Sequence, residues 1–585
     1  MKKLDKSSSA ITRAQAILVI VVILVAGGAA AYFATLPGPT TTSTTAATTT
    51  TTPATTTTTA PTTTTTTAPP LKDTLVIGTT DSSECACFEP AKAYDYFGLN
   101  VAIENLGAGL VQFSPGTEAS PPLLKPALAT SWQISGDGLT YTFTLRSGVR
   151  YDDGTPFDSS AVKYHFDRAI GLADPDGAWV ALGLLDILDS VDAPNPTTVV
   201  FHLKTAWAPF LSWMAFQVSY PVNPNRAPKD SIVTFVPGDP VKSNPNGLGP
   251  YKLTEWTRSG NVEQEMKLEA NPNFWNYPNY PVTRRIIIKF FTDPTALAAA
   301  IRSGDVDIAY RQFTTSDIQS LQTVSGLKVL PSPGAFIQYL VINQHVKPFD
   351  DVRVRQALAA AVDRTNLVKT VFLSTASELY SQIPIGMITH KDVFKTKYGV
   401  TNYALAKQLL AQLGYNETNK LVVDLWYESS GHYPQSPDQA QVLKSDLEKS
   451  GVIQVNLHGT DWGTYRVNRR QATMPVFFMG WYPDFIDPYD YTYPFFEASA
   501  SSWLNYGYNS SKMQTLLNQA LTATSQEQVL SLYGQIQDLQ AEEVPIIPLY
   551  QGGVNCCGAV AKAGVGGIFL DVTLIFRIYT IFASA

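Results

Sequence analysis

Residues 293–309 read DPTALAAAIRSGDVDIA, a helix and a strand with all their punctuation. The Asp293 carboxylate is an acceptor for the free N–H groups of a first turn. Pro294 suits the first helical position, where its missing N–H costs nothing. Leu297, Ala300 and Ile301 fall on one face at helical spacing, and Gly304 supplies the left-handed residue that ends a helix. Val306-Asp307-Ile308-Ala309 then begins a strand directly. A helix feeding straight into a strand is the repeating unit of an α/β fold.

The same alternation continues on both sides. Downstream, Asp351 to Val362 predicts a helix with Val354, Leu358 and Val362 on one stripe. Strands are expected at 421–425, 454–457 and 476–479, and helices at 439–449, 513–522 and 526–542. Upstream, Thr74 to Gly78 is a short apolar strand, and TYTFTL at 140–145 alternates as a half-buried strand does. The turn Asp152-Asp153-Gly154 leads to a helix capped by Ser159 or Ser160, with Val162, Phe166 and Ile170 facing inward. The stretch from Gly567 to Ala583 is apolar enough to suggest a membrane span. Asp571 and Arg577 inside it would each cost about 2.5–3.5 kcal/mol at mid-bilayer, so strands returning to the core are expected instead.

The chain has 585 residues, more than one compact core accommodates. A net charge of -7 leaves no basic face to neutralise phosphates, which argues against nucleic acid. Residues 1–13 carry Lys2, Lys3, Lys6 and Arg13, and residues 14–33 are apolar without a charge. About 20 such residues span a hydrocarbon layer of roughly 30 Å. With the cations on the cytoplasmic side, the remainder lies outside. The segment is either a retained transmembrane anchor or a processed signal; the Arg13-Ala14-Gln15 junction resembles a pilin-like cleavage site, and both readings export the rest of the chain. Residues 34–70 are a Thr/Pro-rich stalk that has nothing to bury, of the kind that carries O-linked sugar. The folded part is therefore 71–585, expected at the outer face of a cell membrane.

Four cysteines fall in two close pairs, Cys85 with Cys87 and Cys556 with Cys557. Outside the cell disulfides are the default, and bridges between the two segments are expected. With six scattered His and none beside these pairs, no metal site is expected. No Gly-x-Ser-x-Gly elbow or His-Glu-x-x-His pair is present, so no catalytic residues are expected, and no cofactor.

An ordered set of motifs resembles the family 5 solute-binding proteins of ABC importers. It comprises Pro126-Ala127-Leu128-Ala129-Thr130-Ser131-Trp132, Asp153-Gly154-Thr155-Pro156-Phe157, Gly247-Leu248-Gly249-Pro250-Tyr251 and Asn271-Pro272-Asn273-Phe274-Trp275. Then come Pro348-Phe349-Asp350-Asp351-Val352-Arg353-Val354-Arg355, Gly480-Trp481-Tyr482-Pro483-Asp484 and Glu543-Val544-Pro545-Ile546-Ile547-Pro548. Gly154, Gly247 and Gly249 read as turn glycines, and Arg353, Arg355 and Asp363 as helix-side ion-pair partners. The resemblance implies an α/β, two-lobed periplasmic-binding-protein-like fold of type II, cluster C-like, with an extra subdomain. Lobe I is expected at about 71–109, 246–331 and 545–585, the extra subdomain at 110–245, and lobe II at 332–544. Ligand is enclosed between lobes that close on a hinge. The implied partners are an ABC permease and its ATPase subunits, the membrane through the N-terminal segment, and a peptide ligand, taken up by a monomer. An oligosaccharide ligand is the alternative, and a stalked surface hydrolase a remote one. Stalked receptors of this kind also resemble archaeal surface proteins.

By the same resemblance, Asp484 pairs with a peptide's α-ammonium, Trp481 gives an aromatic wall, and the backbone from Phe478 through Gly480 to Tyr482 pairs with extended peptide. Arg469 and Arg470 stand where a ligand carboxylate is met. Phe478 departs from the pattern, since the oligopeptide receptors carry a cation there. Trp462 and Tyr465 are candidate stacking rings, and Phe88 and Trp179 are candidate cleft residues of lobe I and the subdomain.

Overall fold

The helix of the opening stretch is Pro294–Ser303. Asp293 Oδ1 accepts the Ala296 N–H at 2.8 Å, and Gly304 closes the helix at φ 88°. The strand after it, Ile308–Tyr310, enters a seven-stranded sheet beside Thr74–Thr79. These elements belong to a computed structural model that describes residues 71–584, apart from Glu84, Glu118, Ala119, Asn261, Pro333, Gly431 and Pro434. The anchor and stalk expected from the sequence lie outside the described residues.

In that sheet Thr74–Thr79 is flanked by two parallel neighbours, Arg285–Phe290 and Ile308–Tyr310. Its inward Leu75 and Ile77 sit level with Ile286 and Ile288, and all four are at most 2% exposed. The order continues outward through Val262–Ala270 to Tyr251–Ser259 on one side. On the other it runs through Ala559–Lys562 to Leu327–Leu330. A second sheet of six strands contains Ile337–Ile342 at its heart, between Ile546–Gln551 and Val476–Trp481. Both Ile337–Ile342 and Ile546–Gln551 are buried at every position, as strands covered on two faces must be. A four-stranded antiparallel sheet, Ala129–Ile134, Thr140–Leu145, Thr198–Leu203 and Leu188–Asn195, forms the separate subdomain. The chain passes between the two large sheets at residues 331–336 and again at 552–558.

Several sequence expectations change. Ile546–Gln551, expected in lobe I, pairs in the second sheet, so the return to lobe I comes after it. The cap of Ser159–Leu172 is Asp158, which accepts the Ser160 N–H, and not either serine. Arg353 pairs with Asp351 at 2.6 Å. Arg355 instead donates to the carbonyls of Phe349, Asp350 and Glu543, and Asp363 caps Arg364–Val371. The cysteines bridge within each pair, Cys85–Cys87 and Cys556–Cys557, and do not join the two segments. Gly154 and Gly247 hold positive φ. Gly249 does not, and serves a close approach to the backbone of Leu106.

The C-terminal stretch packs into lobe I with only short strands, Val565–Gly566 and Phe582–Ala583. Asp571 and Arg577 inside it form a buried ion pair at 3.0 Å. Among the described residues no helix is long and apolar enough to cross a membrane.

Candidate functional site

The strand Val476–Trp481 emerges from the second sheet and runs out at Tyr482-Pro483-Asp484. Asp487 then caps a short turn, Pro488–Tyr491, by accepting the Tyr489 N–H at 2.9 Å. That turn brings Asp490 back beneath the strand end. Its Oδ2 accepts the Trp481 indole N–H at 3.0 Å and the Asp484 backbone N–H at 3.1 Å. The Gly480 to Asp484 motif is thus wrapped around a carboxylate that is only 2% exposed.

This strand end forms one wall of a cavity of about 400 Å³ between the lobes. Tyr482, Asp484, Phe485 and Ile486 line it from lobe II. Tyr94, Tyr96, Leu99, Arg311 and Leu574 line it from lobe I, and Phe113, Ser212 and Phe216 from the subdomain segment 110–245. The Tyr94 hydroxyl donates to Asp484 Oδ1 at 2.5 Å, and the Ser212 hydroxyl to Asp487 Oδ2 at 2.8 Å, both across the cleft. Burial pushes the Asp484 and Asp487 carboxyls up to about 6. Asp490 rises well above the carboxylate range, through burial and then the neighbouring Asp484 charge. Two carboxyls this close do not both ionise cheaply, so the deeper one keeps its proton and the outer one carries the charge. Among the described residues no Lys, Arg or His lies at ion-pair distance from Asp484.

Of the residues expected at the site, Asp484 and Tyr482 line the cavity. Trp481 lines a smaller neighbouring space of about 340 Å³ together with Asp484 and Asp490. Gly480 is required by packing: a Cβ there would lie 2.7 Å from the rings of Phe336 and Tyr433. The others lie elsewhere. Tyr465 is fully buried, and its hydroxyl donates to the Phe478 carbonyl at 2.8 Å. The Phe478 carbonyl is therefore occupied; Ile337–Ile342 pairs with one edge of the strand as far as Trp481, whereas Leu421–Glu428 pairs with the other edge only at Val476 and Phe477. Phe478 itself is fully buried, so the cation missing there says nothing about the ligand. Trp462 stacks on His432 at 3.7 Å away from the cavity. Arg469 lies over the Trp503 ring at 5.1 Å, and neither it nor Arg470 lines the cavity. Phe88 stacks on Trp256 at 4.2 Å, and Trp179 packs between Phe166 and Trp213; both are core. Sequence reasoning missed Tyr94 and Arg311, which reach the cavity from distant parts of the chain. It also missed Asp490, whose only signal is the Asp487-Pro488 turn preceding it.

The fold recurs in known proteins. The chain is 27% identical over 480 residues to heme-binding protein A of Haemophilus influenzae, covering 79% of this chain and 84% of that one. It is 26% identical over 486 residues to di/tripeptide-binding protein 2 of Pseudomonas aeruginosa, covering 79% and 87%. Its fold matches the structure of HbpA2 from Haemophilus parasuis with a TM-score of 0.74 at 21% identity, over 88% of this chain and 100% of the other. Residues 124–503 match the model of the bacterial extracellular solute-binding proteins, family 5. The chain belongs to that family, the solute receptors of ABC importers.

Proposed function

We propose that the protein captures peptides with a free amino terminus between its lobes, at the outer face of the membrane, and delivers them to an ABC permease with its ATPase subunits. The observation that carries this reading is Asp484. It is a carboxylate in the wall of an interlobe cavity, oriented by Tyr94, with no cationic partner among the described residues. A half-buried carboxylate in a cleft without a counter-charge is costly once the cleft is closed to water, and a ligand ammonium supplies that counter-charge. Among its relatives, one is named a di/tripeptide-binding protein. A neutral sugar would leave the carboxylate uncompensated. The charged and apolar N-terminal segment followed by a Thr/Pro stalk supports a receptor tethered to its membrane.

Titration calorimetry of the purified protein against peptide and oligosaccharide pools tests the reading. Peptides are expected to bind and their N-acetylated forms to bind about 10–100-fold more weakly, the scale of a charged hydrogen bond. Tight binding of a sugar without response to peptides would refute it.

A further inference from the structure

We infer that Asn416 on lobe II carries an N-linked glycan, taken from a lipid-linked glycosyl phosphate, whereas Asn509 stays bare; this rests on the outer-face placement proposed above. The acceptor pattern for such a sugar is Asn-x-Ser/Thr with x not proline. It occurs twice in the chain, as Asn416-Glu417-Thr418 and as Asn509-Ser510-Ser511. Both asparagines are exposed, so access alone does not choose between them. Local backbone structure does.

Residues 412–420 link the helix Tyr403–Ala411 to the strand Leu421–Glu428, and every residue from Asn416 to Lys420 is exposed. Asn416 Oδ1 accepts the Thr418 hydroxyl at 2.7 Å, the Thr418 N–H at 2.9 Å and the Asn419 N–H at 3.0 Å. The acceptor amide and its hydroxyl partner are therefore already folded onto each other as an Asx turn. Asn416 Nδ2 keeps only a long contact, 3.5 Å, to the Gly414 carbonyl, which Asn419 Nδ2 reaches at 3.1 Å. Little has to be broken to free that nitrogen. In the transfer Nδ2 bonds to the anomeric carbon of the sugar. The bond from that carbon to the phosphate oxygen breaks with its electron pair on oxygen, and one Nδ2 proton passes to a base of the transferase.

Asn509 is held differently. Ser510 caps the helix Ser511–Leu521: its hydroxyl oxygen accepts the Met513 N–H at 3.4 Å, and the hydroxyl donates to Glu543 Oε1 at 3.0 Å. Ser511 is already the first helical residue, and no hydrogen bond joins it to Asn509 among the described residues. Folding this stretch into the turn seen at Asn416 would break the cap and unwind the first turn. Position favours Asn416 as well. The strand Leu421–Glu428 runs parallel to Val476–Trp481, with Leu425 level with Val476. The loop before Leu421 thus lies at the end of the second sheet opposite Trp481 and the cavity, where a bulky hydrated branch leaves the cleft free to move.

Mass spectrometry of peptides from the full protein, purified from its own cells, tests the assignment. The peptide holding Asn416 is expected to carry added hexose or hexosamine mass, and the peptide holding Asn509 its plain mass. Thr418→Ala made in the same cells is expected to lose the sugar from Asn416 with an unchanged melting temperature. Protease added to intact cells separates the two levels of the argument. A chain cleaved from outside that has a bare Asn416 overturns the inference and leaves the outer-face placement standing, with no variant needed. A sugar on Asn509, or one that persists on Asn416 in Thr418→Ala, also overturns it. A chain that intact cells shield from the protease removes both.

Discussion

In the proposed role Asp484 acts as an anion, and desolvation in the cleft pushes its carboxyl up to about 6. An ammonium ligand favours the ionised form, so binding takes up its counter-charge only where that form is present. Affinity for a free-amine peptide is therefore expected to fall as pH drops below about 6, by up to tenfold per unit. Asp484→Asn should flatten that profile; calorimetry across the window reads it. Asp487 carries a stability statement instead. Its carboxyl is near 6 in the folded protein, against about 3.9 in an unfolded chain. Between these values the folded state holds a proton that the unfolded state has released. The contribution to stability is therefore present at low pH and lost as pH rises from about 4 through about 6. Thermal melts should show the wild type losing more stability than Asp487→Asn between about pH 4 and about pH 6, and equal losses would show that burial is not the cause.

At the scale of elements, the strand Val476–Trp481 depends on a glycine where two aromatic rings close over it. Gly480→Val is expected to cost about 1–3 kcal/mol by overpacking, seen as a lowered melting temperature. Elements with local punctuation were legible from the sequence. The helix Pro294–Ser303 has its cap, its proline and its terminal glycine within one stretch, and Thr140–Leu145 shows its alternation. Sheet membership was not legible for Ile546–Gln551, because a strand buried on both faces is apolar throughout and carries no mark of its neighbours. The site divided the same way. Asp484 and Tyr482 sit in one motif, whereas Tyr94 and Arg311 meet them only through the folded chain. The rings of Tyr465, Phe88 and Trp179 were ambiguous because an aromatic side chain serves a core and a cleft equally well until burial is known.

In the whole molecule, two chain passages join the lobes, and contacts across the cleft hold them together, among them an apolar cluster around Phe485 and the Ala208 N–H donating to the Leu521 carbonyl at 2.8 Å. Tyr94 reaches Asp484, Ser212 reaches Asp487, Gln435 donates to Thr315, and Trp207 meets Phe485 edge-on at 5.8 Å. The first two are hydroxyls whose removal leaves each lobe's core untouched. The double variant Tyr94→Phe with Ser212→Ala is expected to open the ligand-free protein, with a larger radius of gyration in small-angle scattering, and peptide should restore the closed value. An unchanged radius would place the closing energy in the aromatic contacts.

The way the chain enters lobe I has a mechanical consequence. Leu71 makes an isolated bridge to Ser584, and beyond it the chain becomes Thr74–Thr79, an interior strand with parallel partners on both sides. Force drawn through residue 71 along that strand first breaks a single bridge. It then loads two ladders of hydrogen bonds in shear, so that they must fail together and not one after another as in a hairpin being unzipped. Lobe II receives none of this load directly. A receptor held by that end is able to take drag from its surroundings while its cleft opens and shuts freely.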